Sequence, residues 1–263
     1  KSAVVAAIKA WQPSQPPALQ ASLKRLIEYT EGPGMLAPIS GVFNDVRNPR
    51  RPIAEALSHQ PNDVDAELYA ARAWAEQADT KAAIAAVPGL AAEMAMAVWL
   101  YTCETDLYKK LNAALRNGDR AELMSHYFPY IRLLLEALQL IKRAQGGGTL
   151  TVNRGVKLDL VAMHPSKYAE GKTVVWWEFT STTLSVSLLQ KPTFLGQSGP
   201  RTIFQIQTTK GINIQAFSAI KSESEVLLPA ACVLTITGVA MLANGPLRIV
   251  TCKDANAPAL IKL

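Results

Sequence analysis

The order of residue patterns along the chain predicts an α+β fold. Segments with helical periodicity lie before residue 146, segments with twofold alternation lie after it, and Gly146-Gly147-Gly148 marks the change. Helices first and strands second is the segregated arrangement of an α+β domain, not the alternation that builds βαβ units. No internal repeat or low-complexity tract offers a different organisation.

Pro13, Pro16 and Pro17 hold the start extended, and Leu19, Leu23 and Leu26 then recur at helical spacing until Gly32-Pro33-Gly34 breaks the helix. Between there and Asn62, Pro38, Pro49, Pro52 and Pro61 prevent a sustained period, so residues 1–62 read as a partly helical N-terminal extension with no assigned role. One domain is expected over residues 63–263, with a helical lobe at 63–145 and a β core at 149–263. Leu68, Ala71, Trp74 and Ala75 make the first apolar stripe of that lobe, and Pro88-Gly89 closes the next segment. Thr105 or Asp106 caps a helix that carries Leu107, Leu111 and Leu115 on one face and stops at Asn117-Gly118. Asp119 with Glu122 resembles a capping box, and Ile131, Leu134, Leu135, Leu138 and Ile141 give the last helix its apolar face. Strands are then expected at 149–156, 173–182, 202–208, 212–219, 225–228, 233–241 and 247–252, where β-branched and aromatic residues concentrate.

A chain of 263 residues that is 49% hydrophobic and 18% charged has enough apolar surface for a full core, which excludes disordered and collagen-like classes. Its net charge of +6 and pI near 9.2 favour an anionic partner, and a phosphate-bearing cofactor suffices. Nucleic acid finds no support, because Lys24-Arg25, Arg50-Arg51, Lys109-Lys110 and Lys142-Arg143 are scattered pairs, not a stripe interleaved with aromatics. Cys103, Cys232 and Cys252 lack metal-ligand spacing and leave one disulfide between the two late cysteines open. The apolar run at 82–101 is interrupted by Pro88-Gly89 and Glu93, so two soluble helices explain it better than a membrane span. No charged-then-apolar leader opens the chain, and the compartment stays open between a secreted or effector protein and an intracellular one.

Glu223-Ser224-Glu225 is the most informative stretch, because two acids two apart entering an apolar strand project from one side of a sheet. Like charges so placed repel and raise at least one pKa; a functional partner or a solvated edge strand must account for them. Arg154 shares its side of the pleat with Val152 and Val156, which aims its guanidinium at an interior or a cleft. A structural salt bridge and an anionic ligand both answer that need. Ser181, Thr182 and Thr183 are either strand-favouring residues or hydroxyls that fix an arginine and a ribose or amide edge. The triple glycine lacks a following Gly-Lys-Ser/Thr and reads as a linker, Trp176-Trp177 read as core, and His59, His126 and His164 sit near no nucleophile motif.

An arginine on an early strand, Ser-Thr-Thr on the next and Glu-x-Glu before a later one together resemble the arginine-specific mono-ADP-ribosyltransferases of the R-S-E class. The resemblance extends through Trp99-Leu100-Tyr101-Thr102, the helical stretch from Asp106 to Arg116, Phe194-Leu195-Gly196, Thr202-Ile203-Phe204 and Phe217-Ser218. Thr183 departs from the usual second serine, Ile220 and Lys221 from an aromatic and a proline before Glu-x-Glu, and Ala230 from a second proline. The resemblance implies a helical lobe packed on a split β-sandwich of the ADP-ribosyltransferase type. It further implies NAD or NADP as co-substrate, no metal, an arginine-bearing target protein, and a monomeric, toxin-like enzyme.

The catalytic residues that it implies are Arg154, Ser181, Glu223 and Glu225, and those binding NAD are Arg154, Gly155, Ser181, Thr182, Phe194 and Glu225. Arg154 would clamp the diphosphate, and Ser181 would orient the catalytic glutamate and the nicotinamide ribose. Phe194 is a stacking surface for nicotinamide or an ordinary core aromatic. Glu225 would stabilise the positive charge that grows on the ribose as nicotinamide leaves, while Glu223 pairs with the acceptor guanidinium. An NAD glycohydrolase, a non-catalytic NAD- or protein-binding descendant and a nucleic-acid modifier are the rival functions.

Overall fold

The computed structural model describes residues 36–118, 120–190, 195–241 and 246–261, together with Ala10 and Ser14. The helix expected at 18–30, Asp119 of the expected capping box and Phe194 lie outside the described residues.

Six helices among the described residues precede the sheet: α1 (Ile53–Ser58), α2 (Asp65–Ala75), α3 (Ala78–Ala85), α4 (Ala92–Thr102), α5 (Asp106–Arg116) and α6 (Phe128–Gln145). Local chemistry sets their ends. Thr105 Oγ1 accepts the Leu107 N–H at 3.3 Å to start α5, Pro129 occupies the first turn of α6, and Gly146 ends α6 at φ 76°. Met94, Ala97, Val98 and Tyr101 of α4 are buried with Leu134 and Leu138 of α6 and with Leu107 and Leu111 of α5 in one core. Ile53, Ala56 and Leu57 of α1 join it. The segment before α1 is tied to α6: Asn48 Nδ2 donates to the Val42 and Phe128 carbonyls at 2.6 and 3.1 Å. Arg132 in turn pairs with Asp45 at 2.7 Å.

The strands β1 (Leu150–Val156), β2 (Thr173–Trp176), β3 (Thr180–Thr183), β4 (Arg201–Thr208), β5 (Ile212–Asn213), β6 (Glu225–Leu228), β7 (Cys232–Met241) and β8 (Leu247–Asp254) lie in the order β2-β7-β8-β4-β1-β3-β6-β5. Two short helices, α7 (Leu160–Met163) and α8 (Val186–Leu189), sit on its connections. The segregated α+β order expected from the sequence is the order found.

The sheet is weakest at one seam. β1 pairs with β4 over seven register partners but meets β3 through Asn153↔Thr183 alone, so β3, β6 and β5 join the eight-stranded sheet by a single register pair. β6 lies between two apolar layers: Leu227 packs with the helical lobe, while Val226 and Leu228 pack with Val152, Phe204 and Leu234. Burial on both faces explains the uninterrupted apolar run Val226-Leu227-Leu228.

Two expected strands take a different form. The segment 173–182 is not one strand, because Trp177 and Phe179 turn into the helical core and separate β2, which pairs with β7, from β3, which pairs with β1 and β6. The segment 212–219 shrinks to β5, and a 3₁₀ turn at Gln215–Phe217 plugs Phe217 into the same core. Burial of these aromatics outweighs the strand propensity around them. Cys103, Cys232 and Cys252 are free thiols, so the disulfide left open between the last two is not formed; burial pushes each of those two thiols up to about 12. Among the described residues no helix is long and apolar enough to cross a membrane.

Candidate active site

The break at Trp177 and Phe179 builds the site. Asn112 of α5 grips the Phe179 backbone from both sides, accepting its N–H on Oδ1 at 3.2 Å while Nδ2 reaches toward its carbonyl at 3.5 Å. Tyr101 of α4 donates its hydroxyl to the same carbonyl at 3.1 Å and accepts from Asn112 Nδ2 at 2.9 Å. Burial pushes the Tyr101 hydroxyl far above its ordinary range, which keeps it a neutral donor. These contacts fasten the start of β3 to the helical lobe and leave a cleft between them.

That cleft encloses about 560 Å³ and is lined by Tyr101, Tyr108 and Asn112 from the helices and by Arg154, Ser181, Glu223 and Glu225 from the sheet side. A second hollow of about 400 Å³ shares Tyr108, Arg154, Ser181, Glu223 and Glu225 with it and continues past Gly155 and Thr182 to Leu188 and Leu189. All four residues singled out as catalytic therefore face one crevice. So do Gly155 and Thr182, although the Thr182 hydroxyl is engaged with the Val226 carbonyl at 2.5 Å. A side chain at Gly155 would bring its Cβ within 3.0 Å of Leu195, so the absence of one lets β1 approach that loop.

The register explains why Ser181 and Glu225 meet. Thr183 is the partner of Glu225 and Ser181 of Leu227, so Ser181 and Glu225 are diagonal neighbours on one face of the β3–β6 pair. Glu225 is only 6% exposed. Burial holds its carboxyl above the usual carboxylate range, hydrogen bonds from Ser181 and Ser218 oppose that shift, and the charge of Glu223 adds to it. Ser218 Oγ lies 3.3 Å from Glu225 Oε2.

Glu223 reaches the cleft by a route other than the pleat. It ends a 3₁₀ turn at Lys221–Glu223, and Ser224 takes the left-handed conformation at φ 46°, so only Glu225 is in the strand. The turn is pinned from three sides: Thr183 Oγ1 donates to the Glu223 carbonyl at 3.1 Å, Gln215 Nε2 to the Lys221 carbonyl at 2.8 Å, and Ala219 N to Thr102 Oγ1 at 2.8 Å.

Arg154 Nη1 donates to the Ser181 carbonyl at 3.0 Å, and Nη2 lies 3.6 Å from Glu178 Oε1. Glu178 also accepts from Arg116 of α5. Its side chain is 14% exposed and lines the cleft with both guanidiniums. Sequence reasoning passed over Glu178, Arg116, Asn112 and the two tyrosines as single residues; Asn112 and Arg116 four apart on one helix face was the available signal. Among the described residues no group of three or more His, Cys, Asp or Glu gathers where a metal would sit.

The sequence profile of the NAD:arginine ADP-ribosyltransferase family matches residues 52–250. The chain belongs to that family. It is 32% identical to the ecto-ADP-ribosyltransferase 5 of Rattus norvegicus over 174 residues, covering 64% of this chain and 54% of that protein. The chain spans about half the length of the curated relatives it matches. Its fold is similar to that of the ADP-ribosyltransferase HopU1 of Pseudomonas syringae pv. Tomato DC3000, with a TM-score of 0.58, 23% identity and coverage of 70% of this chain and 86% of that one. A mutant of the eukaryotic mono-ADP-ribosyltransferase ART2.2, in complex with NADH, superposes with a TM-score of 0.56 at 24% identity, over 78% of this chain and 84% of that one.

Proposed function

We propose that this chain transfers ADP-ribose from NAD to an arginine of a target protein, releasing nicotinamide and acting as a monomer. The observation that carries this reading is that Arg154, Ser181, Glu223 and Glu225, drawn from separate segments, line one crevice in a chain of this family. The residues present suit a dinucleotide: a guanidinium that lines the crevice, backbone bared at Gly155, and a crevice that continues from the β1–β3 seam to Leu188. Phe194 keeps its proposed stacking role from the sequence alone.

In this reading Arg154 binds the diphosphate, and the Ser181 carbonyl sets the plane of its guanidinium. Ser181 and Ser218 hold the Glu225 carboxylate toward the nicotinamide ribose, where its charge favours departure of nicotinamide in a site poor in water. Glu223, half-buried at the mouth, pairs with the acceptor guanidinium and takes its proton. The deep burial of Glu225 against the more open position of Glu223 gives the two carboxylates these different tasks.

The deciding experiment is incubation with labelled NAD and agmatine. A labelled guanidine adduct is expected. Release of nicotinamide without an adduct would leave water as the acceptor and make the protein a glycohydrolase, and no turnover would make it a binding module.

A further inference from the structure

Glu178 lies among cations in the very part of the cleft that the NAD reading assigns to a diphosphate. Its Oε2 accepts from Arg116 Nη1, and its Oε1 sits 3.6 Å from Arg154 Nη2. Lys167, whose ammonium is pushed down by burial, is partly offset by the same carboxylate. One acid thus answers two guanidiniums from two different segments, α5 and β1.

Two details distinguish a counter-charge from a brace. Arg154 hydrogen-bonds the Ser181 carbonyl at 3.0 Å, so the β3 backbone positions it; its 3.6 Å approach to Glu178 is an ion pair too long for a hydrogen bond. The close bond of Glu178 goes to Arg116 instead. Glu178 therefore neutralises Arg154 without being needed to aim it.

We propose that Glu178 is an internal counter-charge of the diphosphate site, competing with the incoming dinucleotide for Arg154 and so setting the affinity of the cleft. The proposal rests on the reading of this cleft as an NAD site. A diphosphate between Arg116 and Arg154 would meet the Glu178 charge within a few ångströms, in a partly buried wall where repulsion is felt more than at an open surface. Glutamine keeps an oxygen for Arg116, removes the charge and turns an amide NH2 toward Arg154 in place of the second oxygen.

The test is calorimetric titration of ADP-ribose into the wild-type chain and Glu178→Gln at low and high salt. The variant is expected to bind about 3- to 10-fold more tightly at low salt, with the gap narrowing as salt rises. Equal or weaker binding, by a variant that melts as the wild type does, overturns the proposal and makes Glu178 a brace. Should Glu178→Gln fail to fold, Glu178→Asp draws the charge back by one methylene and is expected to bind more tightly; equal or weaker binding again overturns the idea. Wild-type protein that does not bind ADP-ribose at all sinks the dinucleotide reading and this proposal with it. Tight wild-type binding with an unimproved variant sinks the proposal alone.

Discussion

Thr183 stands directly opposite Glu225 in the β3–β6 ladder, and its hydroxyl donates to the Glu223 carbonyl at 3.1 Å. One threonine thus holds the turn that carries the first acid while facing the second. Thr183→Val keeps the shape and removes this bond together with the one that the hydroxyl accepts from Ser185 N–H at 3.1 Å, at a cost of about 1–3 kcal/mol. Transfer to agmatine is expected to fall about tenfold, from loss of aim at Glu223, with NAD hydrolysis reduced less. Thr183→Ser should restore both, and equal loss of the two activities would show that the turn does not depend on this hydroxyl.

Glu225→Gln is expected to lower kcat for nicotinamide release by about 10²- to 10³-fold, because in the proposed reading the carboxylate acts when charge develops on the ribose. The same change should raise stability near neutral pH. Burial lifts the folded-state pKa of Glu225 above its unfolded value, so the folded protein binds that proton more tightly, and stability falls as pH rises from the ordinary glutamate range through the raised value. Melting curves should place the variant above the wild type at pH 7 and level with it below the ordinary glutamate range. The acidic limb of the wild-type kcat/KM profile should correspondingly lie above that range.

Glu223→Gln is expected to abolish the agmatine adduct while NAD hydrolysis stays within about tenfold of wild type, since the proposed reading has the residue serve the acceptor and not the donor. Parallel collapse of both activities would assign Glu223 to NAD instead.

Asn112→Ala removes both halves of the grip on Phe179 and leaves its N–H without a partner, while Tyr101 still serves the carbonyl. A loss of about 2 kcal/mol is expected, or a fall in Tm of roughly 4–8 °C by calorimetry. Nicotinamide release should drop as well, because Ser181 follows two residues later. Unchanged activity in a destabilised variant would separate the grip from the site.

Arg154→Lys exchanges a planar fork for a point charge that cannot meet a diphosphate in two parallel bonds. A rise in KM for NAD of about tenfold or more is expected in steady-state kinetics. An unaltered KM would remove Arg154 from the diphosphate.

The segregation of helices from strands was legible because both periodicities are local. So were the Thr105 cap, the Gly146 stop and the apolar strand at Val226-Leu227-Leu228. The order of Arg154, Ser181 and Glu225 could also be read from the chain, as could the pressure on a carboxylate entering an apolar strand. Both acids line one cleft, but the turn at Ser224 and not a shared face of a pleat brings Glu223 there, and a left-handed serine leaves no local signature beyond an unremarkable residue type. The break between β2 and β3 was illegible for a related cause: Trp177 and Phe179 carry strand propensity, and only the helical core that receives them turns them out of the ladder.

What the sequence determined by itself is therefore the class of fold, the ends of its helices and the identity of the charged residues that demand partners. The tertiary structure alone decided which of those residues share a crevice, bringing Arg116 and Asn112 on α5 to Glu178 and Phe179 before β3. Caps and periodicities are written in contacts within a few residues, whereas a cleft between lobes exists only once distant segments compete to bury the same aromatic side chains.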